Sequence, residues 1–177
     1  MQDDQRLVFK IILIGDPSVG KTSLRRRYIG DGFHHNYQMT IGADFSTKRH
    51  SSDGRECVFQ IWDLSGQESF KSVRKIYYRN THGIVLVFDL TNDVSLENSV
   101  KWIEEYRASA YFNDKIPCIL VGNKLDLEKV DDVEKYELYR LKIENLMRNH
   151  TIVYFSSALT GENVELIFDK LMELIIS

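Results

Sequence analysis

The residues with the clearest chemical content are Gly15-Asp16-Pro17-Ser18-Val19-Gly20-Lys21-Thr22. They lie between an apolar run, Leu7–Ile14, which reads as a buried strand, and Thr22–Gly30, which reads as a helix. Strand, G-x-x-x-x-G-K-T and helix make a phosphate-binding P-loop. The glycines permit a tight turn and a close approach of backbone N–H groups to a phosphate. The N–H groups of Ser18, Val19, Gly20, Lys21, Thr22 and Ser23 form an anion nest where the helix dipole also favours negative charge. The Lys21 ammonium is placed for the β- and γ-phosphates and the Thr22 hydroxyl for Mg²⁺. A chance glycine-rich turn would lack the strand before it and the helix after it. The motif alone does not separate an ATPase, a small-molecule kinase or a GTPase.

Three further polar loops each follow an apolar run: Asp63-Leu64-Ser65-Gly66-Gln67, Asn123-Lys124-Leu125-Asp126 and Ser156-Ser157-Ala158. In an open parallel sheet, ligands bind beyond the carboxyl ends of the strands, so these loops point at one pocket. Asp63 can hold Mg²⁺ through its water shell, because that ion keeps several waters and few protein ligands. Gly66 can bring a backbone N–H to a terminal phosphate. Gln67 has a donor and an acceptor with which to orient an attacking water. Guanine presents two donors side by side, and Asp126 can accept both; adenine offers an acceptor there and would be repelled. Asn123 and Lys124 can tie the base to the P-loop side, while Ser157-Ala158 can offer an N–H to the guanine O6 and orient Asp126. Thr40, in the stretch 36–42, could complete the Mg²⁺ shell only when a γ-phosphate is present, which would make that loop a switch. His34-His35 has no nearby cysteine or carboxylate spacing and reads as a solvated loop. A P-loop kinase would lack Asn123–Asp126. Each loop singly could be a surface turn; their combination argues for one nucleotide pocket.

The elements that must position these loops alternate. Apolar runs Leu7–Ile14, Gly83–Asp89, Pro117–Gly122 and Thr151–Phe155 are each followed by a helical pattern: Thr22–Gly30, Val94–Phe112, Val133–His150 and Val164–Ile176. Repeated βα units imply an α/β fold with a mostly parallel sheet and helices on both faces. Two extended stretches, Ala43–His50 and Glu56–Trp62, flank an Asp-Gly turn, so one antiparallel edge strand is expected. The last helix carries Val164, Ile167, Phe168, Leu171, Leu174 and Ile175 as a core stripe, with Asn163 as candidate N-cap. The run Arg25-Arg26-Arg27 reads as a solvated helix face.

The 177 residues suffice for one domain, residues 1–177, with a full core; two prolines and no low-complexity stretch mark no linker. A net charge of −3 implies no general affinity for nucleic acid. Cys57 and Cys118 sit in apolar runs and read as buried free thiols in a reducing, cytoplasmic compartment. No apolar run is long enough for a membrane span. The acidic N-terminus reads as neither signal peptide nor myristoylation site, and the C-terminus has no cysteine for prenylation.

These motifs, in their order and spacing, resemble the Ras-like small GTPases over essentially the whole chain. Ile41-Gly42-Ala43-Asp44-Phe45, Trp62-Asp63, Tyr77-Tyr78-Arg79 and Val87-Phe88-Asp89-Leu90-Thr91 are most similar to the Rab branch. The resemblance implies a six-stranded P-loop NTPase sheet with five helices, binding of GTP and GDP with Mg²⁺, slow hydrolysis and a two-state switch in membrane traffic. It implies that Phe33 stacks on guanine, that Tyr37 closes over the phosphates, and that Thr40 and Asp63 serve the metal. It implies a monomer with effectors, exchange factors and GTPase-accelerating proteins as partners, through switches over 34–42 and 63–76. Several positions depart from the pattern. Pro17 and Ser18 stand where Gly or Ser, and Gly, are usual; Leu64-Ser65 replaces Thr-Ala; Ser69 replaces a common Arg. Leu159 replaces the Lys over the base, leaving apolar cover. The branch's cysteine-bearing tail does not appear. Pro17 keeps open a second reading, a nucleotide-loaded binding module with little or no hydrolysis.

Overall fold

A computed structural model describes residues 7–32, 39–52, 54–149 and 151–177. Its order of elements is β1 (Leu7–Ile14), α1 (Lys21–Ile29), β2 (Ala43–Ser52), β3 (Arg55–Leu64), α2 (Lys71–Arg74), β4 (Gly83–Asp89), α3 (Asp93–Arg107), β5 (Cys118–Asn123), α4 (Val133–Met147), β6 (Thr151–Phe155) and α5 (Val164–Ile176). The short α2 is flanked by 3₁₀ turns at Glu68–Phe70 and Lys75–Tyr78. The sheet runs β2-β3-β1-β4-β5-β6, and β2 pairs with β3 antiparallel at one edge while the other pairings are parallel. This is the expected fold class.

Side chains of successive strand residues point to opposite faces, and the sequence uses both. Ile11, Leu13, Val85, Val87, Ile119 and Val121 face α1 and α5 with Leu24, Tyr28, Ile167 and Phe168. Ile12, Ile14, Ile84, Leu86, Phe88 and Leu120 face α3 and α4 with Leu96, Ile103, Tyr106, Tyr136 and Ile143. Strands buried on two faces read as continuous apolar runs, which is why they are legible. Cys57 and Cys118 are buried and unbridged. No described helix is long and apolar enough to cross a membrane.

Four local expectations are corrected. Helix α3 ends at Arg107 rather than at Phe112: Ser109 Oγ accepts the Tyr111 N–H, a local turn that competes with helix continuation. Helix α4 ends at Met147, where Arg148 takes a left-handed φ of 56°. Asn163 sits before α5 at φ 59°, but its amide donates to Phe155 O at 2.8 Å instead of capping the helix. The basic run is not a solvated face either. Arg25 is buried, its guanidinium on Asp44 and Ser46 of β2, and Arg27 donates to the carbonyls of Ala158 and Leu159. An arginine can do this because its planar fork spans two acceptors while its stem packs.

Candidate functional site

The turn between β1 and α1 requires its glycines. A Cβ at Gly15 would stand 2.1 Å from Val87 O, and one at Gly20, where φ is 98°, would stand 2.1 Å from Asn123 Nδ2. Asp16 is held from α3, accepting from Trp102 Nε1 and Asn98 Nδ2, both at 2.7 Å. Thr22 and Ser23 follow Lys21 in the first turn of α1. The Lys21 ammonium is buried and donates to Gly15 O at 2.8 Å and Asp16 O at 2.7 Å, folded back over its own loop. Burial pushes it down to about 8, against the attraction of Asp63 and Asp16. An anion beside it would favour its charged form further.

Three residues from separate elements meet beside Lys21. Thr22 Oγ1 donates to Asp63 Oδ2 at 2.5 Å, lies 3.0 Å from Thr40 Oγ1, and Thr40 Oγ1 lies 3.3 Å from the same carboxylate oxygen. Asp63 is fully buried, and its Oδ1 has no hydrogen-bond partner among the described residues. Burial raises its pKa, while Lys21 and the Thr22 bond oppose that rise. Two hydroxyls and a carboxylate with an unspent oxygen are the hard oxygen donors that Mg²⁺ takes, so the residues present fit that ion.

The loop after β3 lies against the P-loop. A Cβ on Gly66 would come within 2.5–2.7 Å of Pro17 N, Asp16 C and Gly15 O, so only glycine fits there. Gln67 is half-buried; its amide Nε2 lies 3.1 Å from Met39 Sδ, on the segment carrying Thr40. The structure thus places Gln67 beside the Thr40 segment. Sequence reasoning missed Arg74, whose Nη1 reaches both Ser65 O and Gln67 O. No spacing rule links an arginine in α2 to that loop.

At the other end, Asn123 joins two loops: its Nδ2 donates to Val19 O at 2.9 Å and its Oδ1 accepts from Ala158 N at 3.1 Å. Ser157 Oγ donates to the Asp126 carboxylate and accepts from Thr160 N at 3.0 Å, which orients Asp126 as expected. The Lys124 ammonium pairs with Asp89 Oδ2 at 2.5 Å, at the end of β4. Asp126 and Leu159 are exposed at the rim, and Arg27 holds the carbonyls of Ala158 and Leu159 from α1. Phe33 and Tyr37, expected over the base and the phosphates, lie outside the described residues, as do His34 and His35.

A phosphate nest, an oxygen-donor corner and a carboxylate rim along the C-terminal edge of one mostly parallel sheet define a P-loop nucleotide-binding protein. The model of the Ras family matches residues 10–177, and the chain belongs to that family. It is 39% identical to the GTP-binding protein YPT53 of Saccharomyces cerevisiae over 94% of this chain and 76% of that one. It is 38% identical to the Ras-related protein Rab-13 of Rattus norvegicus over 93% and 78%. The Ypt/Rab-type GTPase YPT7 of Saccharomyces cerevisiae is 34% identical over 97% and 83%. The likeness to the Rab branch therefore holds across the chain.

Proposed function

We propose that this chain is a guanine-nucleotide switch, a single domain over residues 1–177 that binds GTP and GDP with Mg²⁺ and slowly hydrolyses GTP. The observation that carries the reading is the meeting of Thr22, Thr40 and Asp63 beside Lys21. Thr40 comes from a different segment than the P-loop, so its position there would depend on what the site holds. Thr22, Thr40 and, through water, Asp63 would hold the metal, which supplies charge neutralisation at the phosphates. The N–H groups of residues 18–23 and Gly66 cradle phosphate oxygens, and Lys21 places positive charge where negative charge develops. Asp126, oriented by Ser157, reads guanine, with Ala158 and Leu159 lining the base. Gln67 orients water. Arg25 and Arg74 are both buried in other pairs, so no described arginine in the core serves as a finger. Intrinsic turnover on the order of minutes to hours follows.

Met39, Ile41, Val73 and Ile76 are exposed on the segments that change with nucleotide, a surface for effectors, exchange factors and accelerating proteins in Rab-like membrane traffic. The protein would act as a cytoplasmic monomer, peripheral to membranes through a partner or through a tail beyond this sequence. Nucleotide extraction and chromatography, followed by single-turnover phosphate release with Mg·GTP, test the reading. Recovery of adenine nucleotides, or of none, overturns it.

A second reading, a nucleotide-loaded module with little hydrolysis, is favoured by two observations. The Gln67 amide contacts Met39, and Pro17, which has no N–H, lies against Gly66. Bound GTP that survives a day with Mg²⁺ supports this second reading; release within hours supports the first.

A further inference from the structure

Arg74 ends α2 with its side chain 1% exposed, yet nothing in the proposed chemistry uses it. Its guanidinium is committed on every side. Nε and Nη2 donate to Glu105 Oε1 and Oε2 at 2.9 and 2.8 Å, a bidentate pair. Nη1 donates to Ser65 O at 2.8 Å and Gln67 O at 3.0 Å. The plane lies over the Trp102 ring, 4.2 Å from its centroid. Tyr78 OH donates to Glu105 Oε1 at 2.6 Å and so orients the carboxylate.

The two carbonyls held by Nη1 flank Gly66. Pinning both sides of one glycine sets where its N–H points and where the Gln67 side chain starts. The same helix face that holds Arg74 also holds the P-loop: Trp102, three residues before Glu105 on α3, donates to Asp16. P-loop and water-orienting loop therefore share one anchor. A buried ion pair is weak evidence for stability, since apolar residues of similar volume often serve the core as well or better. Apolar residues could not hold two carbonyls.

We infer that Arg74, with Glu105 and Trp102, is a positioning residue: it fixes the Ser65-Gly66-Gln67 loop against the P-loop in the geometry that hydrolysis needs. Its effect on hydrolysis rests on the switch reading above; its effect on the loop does not. Lysine at this position keeps the charge for Glu105 but cannot span a carboxylate and two carbonyls.

The test compares wild type, Arg74→Lys, and the double variant Arg74→Met with Glu105→Leu, which leaves no unpaired buried charge. Each is loaded with Mg·GDP or with Mg and a non-hydrolysable GTP analogue. Hydrogen exchange is read at the amides of 65–70, with those of β4 and β5 as the reference. Phosphate release under single turnover and GDP dissociation are measured beside it. Exchange at 65–70 should rise by about tenfold or more in both variants while the reference strands stay protected. Phosphate release should fall by about tenfold or more with GDP dissociation changed less than about threefold, since misplacement rather than binding is lost. Unchanged exchange at 65–70 overturns the inference, as does a rise shared equally by β4 and β5, which marks a merely structural pair. If the double variant does not fold, Arg74→Lys carries the same readouts. A wild type that releases no phosphate removes hydrolysis from the proposed function, and exchange at 65–70 still decides the role of Arg74.

Discussion

Thr22 and Asp63, forty-one residues apart, share a 2.5 Å hydrogen bond at the carboxyl end of the central strands, with Thr40 3.0 Å from the same hydroxyl. The bond marks the corner where Thr22 and, through water, Asp63 would hold a divalent ion. Thr22→Ala should therefore weaken GTP binding in Mg²⁺ by about tenfold or more, the scale of one charge-assisted contact. GDP binding should suffer less if, as proposed, Thr40 joins the ion only with the γ-phosphate. Titrating both nucleotides with Mg²⁺ and with a chelator checks this; equal losses for the two would sink it.

Asp126→Asn should admit xanthine nucleotides. Xanthine carries a carbonyl where guanine has its amine, and an amide side chain matches that pair. Charge-assisted bonds of about 1.5–3 kcal/mol imply a loss for guanine of roughly 10- to 100-fold per bond. Competition of GTP and XTP for wild type and variant measures it, and an unaltered preference would show that Asp126 does not read the base.

Gln67→Leu should retain nucleotide and lose turnover. Leucine has similar size but neither donor nor acceptor, so a water beside it has no fixed orientation. Misplacement of this kind costs about 10²-fold in rate. Single-turnover phosphate release, with nucleotide dissociation as control, makes the comparison. Equal rates would leave the Gln67–Met39 contact as a structural one.

His50 gives a pH dependence far from the nucleotide. It is buried between Tyr28 OH, 2.6 Å from Nδ1, and Asp169, 3.2 Å from Nε2, with Glu165 and Lys48 nearby. Burial lowers its pKa below 6.5, outweighing Asp169 and Glu165, while Lys48 adds to the lowering. On acidification the unfolded chain takes up the proton first, so stability should fall as pH drops below about 6.5 and be undiminished above it. His50→Gln, which cannot titrate, should show a smaller difference in Tm between pH 5.5 and 7.5 than wild type. A difference as large in the variant would assign the acid sensitivity to other groups.

Much of this is legible in the sequence where local rules and tertiary packing agree. The β1, β4, β6 and α5 limits follow from apolar runs and one amphipathic stripe, since burial on one or two faces leaves a direct periodic mark. Thr22, Asp63, Asn123, Asp126 and Ser157 are brought together because each lies at or just beyond a strand's carboxyl end or opens a helix. What was not legible depends on long side chains choosing partners across space. Arg25 looks solvated by composition, yet Asp44 waits on the neighbouring strand. Lys124 pairs with Asp89, and the Asn163 amide donates to Phe155 O where a cap would have accepted a backbone N–H. Arg74 follows no periodic rule; its partners lie on α3 and on the loop after β3.

The contact between Gly20 and Asn123 has an evolutionary consequence. Asn123 Nδ2 occupies the space a Cβ at position 20 would need and spends its hydrogens on Val19 O, while its oxygen serves Ala158 N. A first mutation at 20 meets a side chain that cannot retreat without unfastening two loops. A first mutation at 123 strands a carbonyl and an N–H that are both buried. Neither order of single steps is open, so a lineage could leave this pair only by changing both positions at once, and drift should explore the rest of the pocket first.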